Sequence, residues 1–406
     1  IKNISSPIAV RSSGLLEDSQ YKPLAGMYST FMLPNSDKKI NERLNQICES
    51  VKRVYASTFF KEPKSLMDSL SQRYEEEKMA VIIMELVGKN HNDIFYPTIS
   101  GVCQSYNYYP VSHMERKDGI TFLALGLGKT IAEGGKSLRY SPKFPNILSQ
   151  FYSIKSSINN SQNKFYALDL NNGQNPMTQG EKKNLKLFNL EVAEKNGELK
   201  YIANVITTDD NIIRESLNYK GPRVLTFSSI IKYNKNDLNE ILIKLMKEGE
   251  KLIGCPVEIE FALNLNEQEK DEFCLLQIKP MTIDNYNNNI NINKIRFTDS
   301  SFCYSKNVLG DGIFQNIKHI IYINPDKFKR ESTMAIAAQI GIYNKKLTKK
   351  NPYILIGPGR WGSTDSWLGI PVNWEQISNA KSIVEIGIEA LDPEPSFGSH
   401  FFQNIT

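Results

Sequence analysis

Two segments of the chain carry apolar residues at the spacing of an amphipathic helix. The first lies within residues 38–60, where one face would carry Ile40, Leu44, Ile47, Val51 and Val54. The second runs from about Asp237 to Leu252, and its inward face would carry Leu238, Ile241, Leu242, Leu245 and Met246. Gly254 and Pro256 follow it, and both residue types commonly terminate helices, so the second helix is predicted to end there.

Three apolar runs predict β-strands, at Met79 to Val87, Ile99 to Tyr106 and Ile120 to Leu125. Residues 153–180 are instead rich in Asn, Ser and Gln, which predicts an insertion or a surface loop. The segment Asp284 to Asn293 (DNYNNNININ) is low in complexity and is the predicted linker between two parts of the chain.

Residues 294–406, beyond this linker, predict a smaller α/β unit. A strand at His319 to Ile323 precedes a helix at about Phe328 to Leu347, and a second strand follows at Tyr353 to Ile356. Strand, helix and strand in this order predict a parallel crossover. The expected fold class is therefore α+β, with residues 1–283 as the larger domain.

Composition and charge narrow the class of protein. Hydrophobic residues make up 40% and charged residues 23% of the chain, which is typical of a globular protein, and no run approaches the ~18 apolar residues of a membrane span. The net charge of +5 only weakly favours a polyanionic ligand such as a nucleotide. The sequence lacks the mixed aromatic and basic runs that are typical of a nucleic-acid-binding surface. We therefore expect neither a membrane nor a nucleic acid as partner.

The five cysteines are scattered and mostly lie in apolar runs, which indicates reduced thiols and a cytoplasmic location. The chain begins at Ile1 without a methionine and ends at Thr406 after an apolar run, so we expect a piece of a longer protein that is not active alone.

The stretch from Pro256 to Pro280 (PVEIEFALNLNEQEKDEFCLLQIKP) predicts a β-hairpin with chemistry on one face. Glu258 and Glu260 alternate with apolar residues in its first strand, and Phe273, Leu275, Gln277 and Lys279 would share a face of the second. Two carboxylates, an amide and an ammonium would then meet. The carboxylate and amide oxygens suit a hard cation such as Mg²⁺. Spacing alone favours the alternative, an edge hairpin with a solvated face.

A second candidate site lies near the start, in VRSSGLLEDS (Val10 to Ser19) and LAGMYST (Leu24 to Thr30). Arg11 can bind phosphate through its guanidinium, and a loop from Gly26 to Thr30 can present backbone N–H groups to phosphate oxygens. A surface turn that caps the next helix explains these residues equally well.

Two glycine-rich stretches complete the candidates. ALGLGKTIAEGG (Ala124 to Gly135) fails the P-loop pattern because Leu123 stands where the first glycine is needed, so it predicts only a glycine loop. ILIGPGRWGS (Ile354 to Ser363) suits an anion or partner site through Arg360 and Trp361, but a structural turn with Trp361 in the core is the favoured interpretation.

Taken in order, these stretches resemble the ATP-binding domain of phosphoenolpyruvate synthase and pyruvate phosphate dikinase. The resemblance rests on five stretches. VRSSGLLEDS…LAGMYST corresponds to that family's opening motif of VRSS, ED and AGxxxT, and KMAVIIMELV and ISGVCQSYN correspond to its central strands. ALGLGKTIAEGG corresponds to its GLGE-type loop, and PVEIEFAL…LLQIKP corresponds to its closing signature DIEF…LQxRP. They span Val10 to Pro280, about two thirds of the chain. Five pieces in the right order outweigh the interpretation of the hairpin as a solvated edge.

The resemblance implies a two-lobed ATP-grasp-like fold, with lobes at roughly 1–95 and 96–283, and roles for the matching residues. Arg11 would be a phosphate ligand. The phosphate-covering loop would consist of Gly26, Met27, Tyr28, Ser29 and Thr30. The adenine hinge would consist of Glu85, Leu86 and Val87, acting mainly through backbone atoms.

The hairpin would supply the rest of the site. Glu260 and Gln277 match the metal ligands, Glu258 matches an acidic residue near the ribose or metal, and Lys279 matches a phosphate-binding arginine. The expected ligands are ATP and Mg²⁺, and Arg11 and Lys279 would offset developing charge during phosphotransfer.

The expected function is therefore Mg-dependent transfer of a phosphoryl or pyrophosphoryl group from ATP to a histidine on a separate phosphohistidine domain, or to an unidentified acceptor. The sequence departs from the family pattern at four positions: it has Lys279 in place of arginine, Glu258 in place of aspartate, Met84 in place of glutamine and Lys129 in place of glutamate. The substitutions at Lys279, Met84 and Lys129 motivate the alternative of a non-catalytic ATP-sensing module. A third hypothesis is a scaffold that binds a partner through Arg360 and Trp361.

Overall fold

The computed structural model divides the chain into two compact units, Ile1–Met281 and Thr282–Thr406. It describes residues 1–14, 28–60, 63–64, 78–108, 110–151, 153–171, 184–207, 210, 212–233, 236–266, 270–281, 298–299, 301–305, 314, 316–347, 351–363 and 367–388. The predicted linker Asp284 to Asn293 lies outside these residues.

The first unit is a mixed α+β structure built on antiparallel sheets. Its strands are β1 Ile8–Gly14, β2 Phe31–Leu33, β3 Met79–Glu85, β4 Lys89–His91, β5 Ile94–Tyr96, β6 Ile99–Gln104, β7 Ile120–Ala124, β8 Leu138–Tyr140, β9 Lys164–Asp169, β10 Leu185–Asn189, β11 Ala203–Ile206, β12 Ile213–Arg214, β13 Arg223–Leu225, β14 Val257–Asn264 and β15 Glu272–Pro280. They form sheets in the orders β2-β1-β3, β10-β9-β5-β4, β12-β11-β13 and β15-β14-β6-β7-β8.

Seven α-helices of this unit lie within the described residues: α1 Ile40–Ser57, α2 Lys129–Ala132, α3 Ile154–Asn160, α4 Leu190–Lys195, α5 Leu199–Ile202, α6 Ser228–Ile231 and α7 Leu238–Ile253. The two predicted amphipathic helices are α1 and α7. Helix α7 ends at Gly254, which takes a φ of 82° and so adopts the left-handed conformation that glycine tolerates best.

Helix α1 covers one face of the β2-β1-β3 sheet. Ile8 and Val10 of β1 are buried against Val54 of the helix, so residues that alternate with them face the other way. The predicted apolar face is only half used, because Ile40 and Leu44 at the start of α1 are exposed. Arg11 thus lies on the sheet face opposite α1.

The five-stranded sheet holds the main core. Strands β6 and β7 confirm two predicted strands, and β14 lies between β6 and β15 with antiparallel register on both sides. Val257 and Ile259 of β14 are fully buried together with Leu242 and Met246 of α7. Glu258 and Glu260 alternate with these residues and therefore lie on the face away from α7.

The expectation of a surface loop at residues 153–180 was wrong for its described part. This segment forms α3 and β9, and Phe165 of β9 is fully buried. Its polar residues serve as internal hydrogen-bonding groups: the Gln162 amide bridges the backbone N–H and carbonyl of Leu125 at 2.8 and 3.0 Å. Polar composition therefore does not indicate exposure here.

The second unit contains a three-stranded parallel sheet with helices. Its elements are β16 His319–Tyr322, α8 Thr333–Lys346, β17 Tyr353–Pro358, β18 Arg360–Trp361, β19 Gly369–Ile370, α9 Trp374–Ile377 and β20 Ala380–Ile386. β17 pairs in parallel with both β16 and β20, which confirms the predicted crossover through a helix.

Trp361 anchors the core of this second unit. It is completely buried, and its indole N–H donates to the Val384 carbonyl at 3.1 Å. The structural-turn interpretation of GPGRWGS is thus confirmed, and the hypothesis that Trp361 contacts a partner was wrong.

Candidate functional site

The β14–β15 hairpin aligns four polar side chains in two cross-strand pairs. Glu258 pairs with Lys279, and Glu260 pairs with Gln277. Residues that face each other across a ladder share a sheet face, so all four lie together. The two carboxylates, the ammonium and the amide therefore meet as the strand pattern predicted.

A β-bulge separates this polar half of the hairpin from an apolar half. The register shifts after Glu260, so that Phe261 pairs with Leu275 and Leu276 is the extra residue. The expectation that Phe273 and Leu275 share a face with Gln277 and Lys279 was therefore wrong. Phe273 instead stacks on Phe261 with 5.3 Å between ring centroids.

Lys279 is a shared counter-ion for both carboxylates. Its Nζ atom lies 2.8 Å from Glu258 Oε1 and 3.5 Å from Glu260 Oε1. The Glu258 side chain is 2% exposed and the Lys279 side chain 11%, whereas the Glu260 side chain keeps 29% of its surface. Glu260 is thus the carboxylate of the pair with more access to solvent and ligands.

The charge of Lys279 is stabilised despite its burial. Burial lowers the pKa of this ammonium, but the Glu258 and Glu260 carboxylates outweigh burial and leave the pKa above its ordinary value. Lys279 therefore remains a cation throughout the physiological pH range.

Arg11, near the start of the sequence, contacts this hairpin. Its Nη2 atom donates a hydrogen bond of 3.0 Å to Gln277 Oε1, although 266 residues separate the two in sequence. The early arginine and the late hairpin, predicted separately, thus form one polar cluster of two carboxylates, two cations and an amide.

Only part of the predicted phosphate-covering loop can be located. Gly26 and Met27 lie outside the described residues. Tyr28 is buried, and the backbone N–H of Ser29 donates to the Ser57 hydroxyl at the end of α1 at 3.1 Å. Tyr28, Ser29 and the half-buried Thr30 therefore lead into β2, and the Ser29 N–H already has a protein acceptor.

The predicted hinge follows directly from β3. The Glu85 carboxylate accepts a hydrogen bond from the Ser6 hydroxyl, and the backbone N–H of Leu86 donates to the Pro7 carbonyl at 2.8 Å. Since that N–H is engaged, a contact from this segment to a base would have to use other backbone atoms of Glu85, Leu86 and Val87.

Comparison with known families identifies the domain. The chain matches the model of the pyruvate phosphate dikinase AMP/ATP-binding domain over residues 2–298. The chain belongs to this family. No curated protein matches it significantly.

As a member of the pyruvate phosphate dikinase AMP/ATP-binding family, the chain carries the domain through which these dikinase enzymes bind adenine nucleotide. The match covers the candidate residues from Arg11 to Lys279 and the four sheets of the first unit. None of the helices in the described part of the chain has both the length and the hydropathy of a membrane span.

The residues of the hairpin suit a magnesium ion. Glu260 and Gln277 are cross-strand neighbours and offer oxygen donors, which Mg²⁺ prefers, and Mg²⁺ usually takes its remaining ligands from water and substrate phosphates. Among the described residues, no group of three or more His, Cys, Asp and Glu side chains forms a metal cage. A site of one or two protein oxygens is therefore the type that this family member could provide here.

The glycine loop of this family member is held by packing. A Cβ atom at Gly126, whose φ is 83°, would lie 2.5 Å from the Tyr166 carbonyl oxygen. Lys129, the first residue of the short helix α2, has its Nζ atom 3.4 Å from Oε1 of Glu133, the residue that follows this helix. The described loop is thus a structural junction between β7 and β9.

Sequence reasoning missed one member of the cluster. Gln104, at the end of β6, is 1% exposed, and its Nε2 atom donates to Glu258 Oε2 at 2.6 Å. It pairs directly with Glu258 across β6 and β14. Gln104 lies in the stretch ISGVCQSYN, but no role followed from that pattern, and only the strand register identifies this contact.

Proposed function

We propose that this chain binds ATP between the β2-β1-β3 sheet and the β14–β15 hairpin, as the ATP-binding part of a Mg-dependent phosphotransferase. The hydrogen bond of 3.0 Å from Arg11 to Gln277 carries the proposal, because it joins the N-terminal sheet to the acidic hairpin in one polar site. In this proposal the fold is the two-lobed ATP-grasp type, with lobes at roughly 1–95 and 96–283, a linker at 284–293 and a C-terminal unit at 294–406.

Arg11 and Lys279 bind phosphate oxygens and offset the charge that develops on them. Both are cations at physiological pH, and each lies beside an oxygen atom of the hairpin, Arg11 beside Gln277 Oε1 and Lys279 beside Glu260 Oε1. Phosphoryl transfer depends mainly on positioning and electrostatic stabilisation, so the chain needs no nucleophile of its own.

The remaining contacts to ATP come from two segments that act mainly through their backbone atoms, and from Glu258. Gly26 to Thr30 cover the phosphates, and Glu85 to Val87 form the hinge beside the adenine. Glu258 acts at the side of the site, near the ribose or the metal. Its 2% exposure and its bonds to Lys279 and Gln104 support a role in holding Lys279 in place.

Glu260 and Gln277 hold the Mg²⁺ ion, which when bound neutralises charge on the ATP phosphates. Glu260 is the more exposed carboxylate of the hairpin, and Gln277 contributes its amide oxygen. Lys279 and Arg11, which contact these oxygens in the structure, would then turn toward phosphate oxygens.

A phosphoryl or pyrophosphoryl group passes from ATP to a histidine on a phosphohistidine domain elsewhere in the full-length protein, or to another acceptor, and leaves ADP or AMP, respectively. Membership of a dikinase family supports this reaction class.

Isothermal titration of ATP with and without Mg²⁺ tests the proposal. Glu260→Ala should abolish the magnesium-dependent part of binding, because it removes a charged oxygen ligand. Glu272→Ala is the matched control, since Glu272 is an exposed carboxylate of the same hairpin, at the start of β15, where it accepts a hydrogen bond from Asn264. Equal magnesium-dependent affinity in Glu260→Ala and wild type would refute the assignment.

A specific observation favours a second function, an ATP-sensing module without turnover. Lys279 already neutralises both carboxylates, and its ammonium lacks the two-pronged geometry of arginine. A sensor predicts a higher melting temperature with MgATP but no release of phosphate or AMP and no labelled acceptor. Release of either product at a rate that depends on Glu260 would exclude the sensor.

A further inference from the structure

We infer that Gln104 is a positioning residue of the nucleotide site, which acts through Glu258 to hold the Lys279 ammonium in place. This inference rests on the proposed function. Gln104, Glu258 and Lys279 occupy one row across three neighbouring strands, because Glu258 pairs with Gln104 on one side and with Lys279 on the other.

The row immobilises the Glu258 carboxylate from both sides. Gln104 Nε2 donates to Oε2 at 2.6 Å, while Lys279 Nζ lies 2.8 Å from Oε1. Each carboxylate oxygen thus has its own donor, and both bonds are strengthened by the carboxylate charge. With Gln104 and Glu258 at 1% and 2% exposure, solvent does not replace either partner.

The orientation of the Gln104 amide depends on Glu258. Its Oε1 atom is buried and accepts no hydrogen bond from any residue in the described part of the chain. Reversing the amide would turn this oxygen toward the carboxylate, so two acceptors would face each other. Gln104 therefore keeps its donor on Glu258 and leaves its acceptor unused.

Loss of this donor would move Lys279. Glu258 Oε2 would then lack the Gln104 donor in a buried place, so the carboxylate would attract the Lys279 ammonium beside its other oxygen more strongly. Lys279 would turn further toward Glu258 and away from Glu260, which lies at 3.5 Å on its other side. The cation would then be displaced from the oxygens beside which phosphate is proposed to bind.

A double-mutant cycle on MgATP affinity tests the inference. Gln104→Met removes the donor at similar volume, and we expect the dissociation constant to rise about tenfold. In a Glu258→Gln background the same substitution should raise it less than about threefold, because the charged partner is already gone. A residue that only stabilises the fold would not produce this coupling in affinity.

Gln150→Met is the matched control. Gln150 is buried and bonds backbone atoms of Ser137 and Arg139, so its substitution should lower the melting temperature without changing the dissociation constant more than about twofold. Should Gln104→Met fail to fold, Gln104→Asn replaces it, since the amide is then one methylene too short to reach Glu258.

The outcomes separate this inference from the function on which it rests. Binding that depends on Glu260 but is unchanged in Gln104→Met or Gln104→Asn overturns the inference alone. An equal loss of affinity in both Glu258 backgrounds also overturns it. Absence of MgATP binding by the wild-type chain refutes the proposed function and the inference together.

Discussion

Replacing Lys279 by methionine removes the cation that two carboxylates share. The Glu258 side chain, only 2% exposed, would lose its partner at 2.8 Å and be left charged in a buried place. Removing one member of a buried ion pair typically costs about 3–5 kcal/mol. We expect a loss of about 3 kcal/mol, at the lower end, because Gln104 still donates to Glu258 and the more exposed Glu260 can be hydrated.

The pH dependence of this loss follows from the charge. In the wild type, the raised pKa of Lys279 means that its stabilisation is complete below its unfolded pKa of about 10.4 and is lost only as the pH rises through the higher folded value. This group therefore leaves wild-type stability constant between about pH 6 and about pH 9. The loss in Lys279→Met should therefore not vary over this pH range.

The assay must report on the right unit. All three tryptophans lie in the second unit and none in the first, so opening of the hairpin is followed by a local method. Hydrogen exchange in peptides of β14 and β15, measured against urea concentration, gives the local free energy of opening. Combining Lys279→Met with Glu258→Gln should restore at least half of the loss, and Lys251→Met, at an exposed pair with Glu248, should change little.

A loss below about 1 kcal/mol in Lys279→Met would refute the reasoning that the Lys279 ammonium stabilises a buried carboxylate. Failure of the combined variant to recover stability would point to packing of the lysine stem as the main contribution.

Two further predictions concern the core of the first unit. Gly101→Ala should lower the free energy of unfolding by about 1–3 kcal/mol, because the new Cβ would lie 2.1 Å from Cζ of the buried Phe261 ring. Thermal denaturation measures this loss. An unchanged melting temperature would mean that the ring can move aside. The pKa of His91 is lowered, chiefly by burial and secondarily by Lys89, against the opposing pull of Glu198, so wild-type stability should fall as the pH drops below about 6.5. Melting temperatures of His91→Gln should fall less steeply over that range, and parallel curves would contradict the prediction.

Much of the local structure could be predicted from the residues themselves. The alternation around Glu258 and Glu260 determines which residues of β14 share a face, and the helical spacing around Leu242 and Met246 determines the inner face of α7. These patterns are local, because they depend on the period of the element and on burial of one side. The order of motifs along the chain likewise sufficed to identify the family.

Tertiary structure decided what local periodicity cannot express. The bulge at Leu276 reverses which side chains of β15 share a sheet face, and no residue type in that strand predicts it. The contact of Arg11 with Gln277 and that of Gln104 with Glu258 join segments 266 and 154 residues apart. The burial of polar residues such as Gln162 depends on backbone groups brought near by folding. Each of these features arises from strand register and from the partners available across the core, which only the packed chain defines.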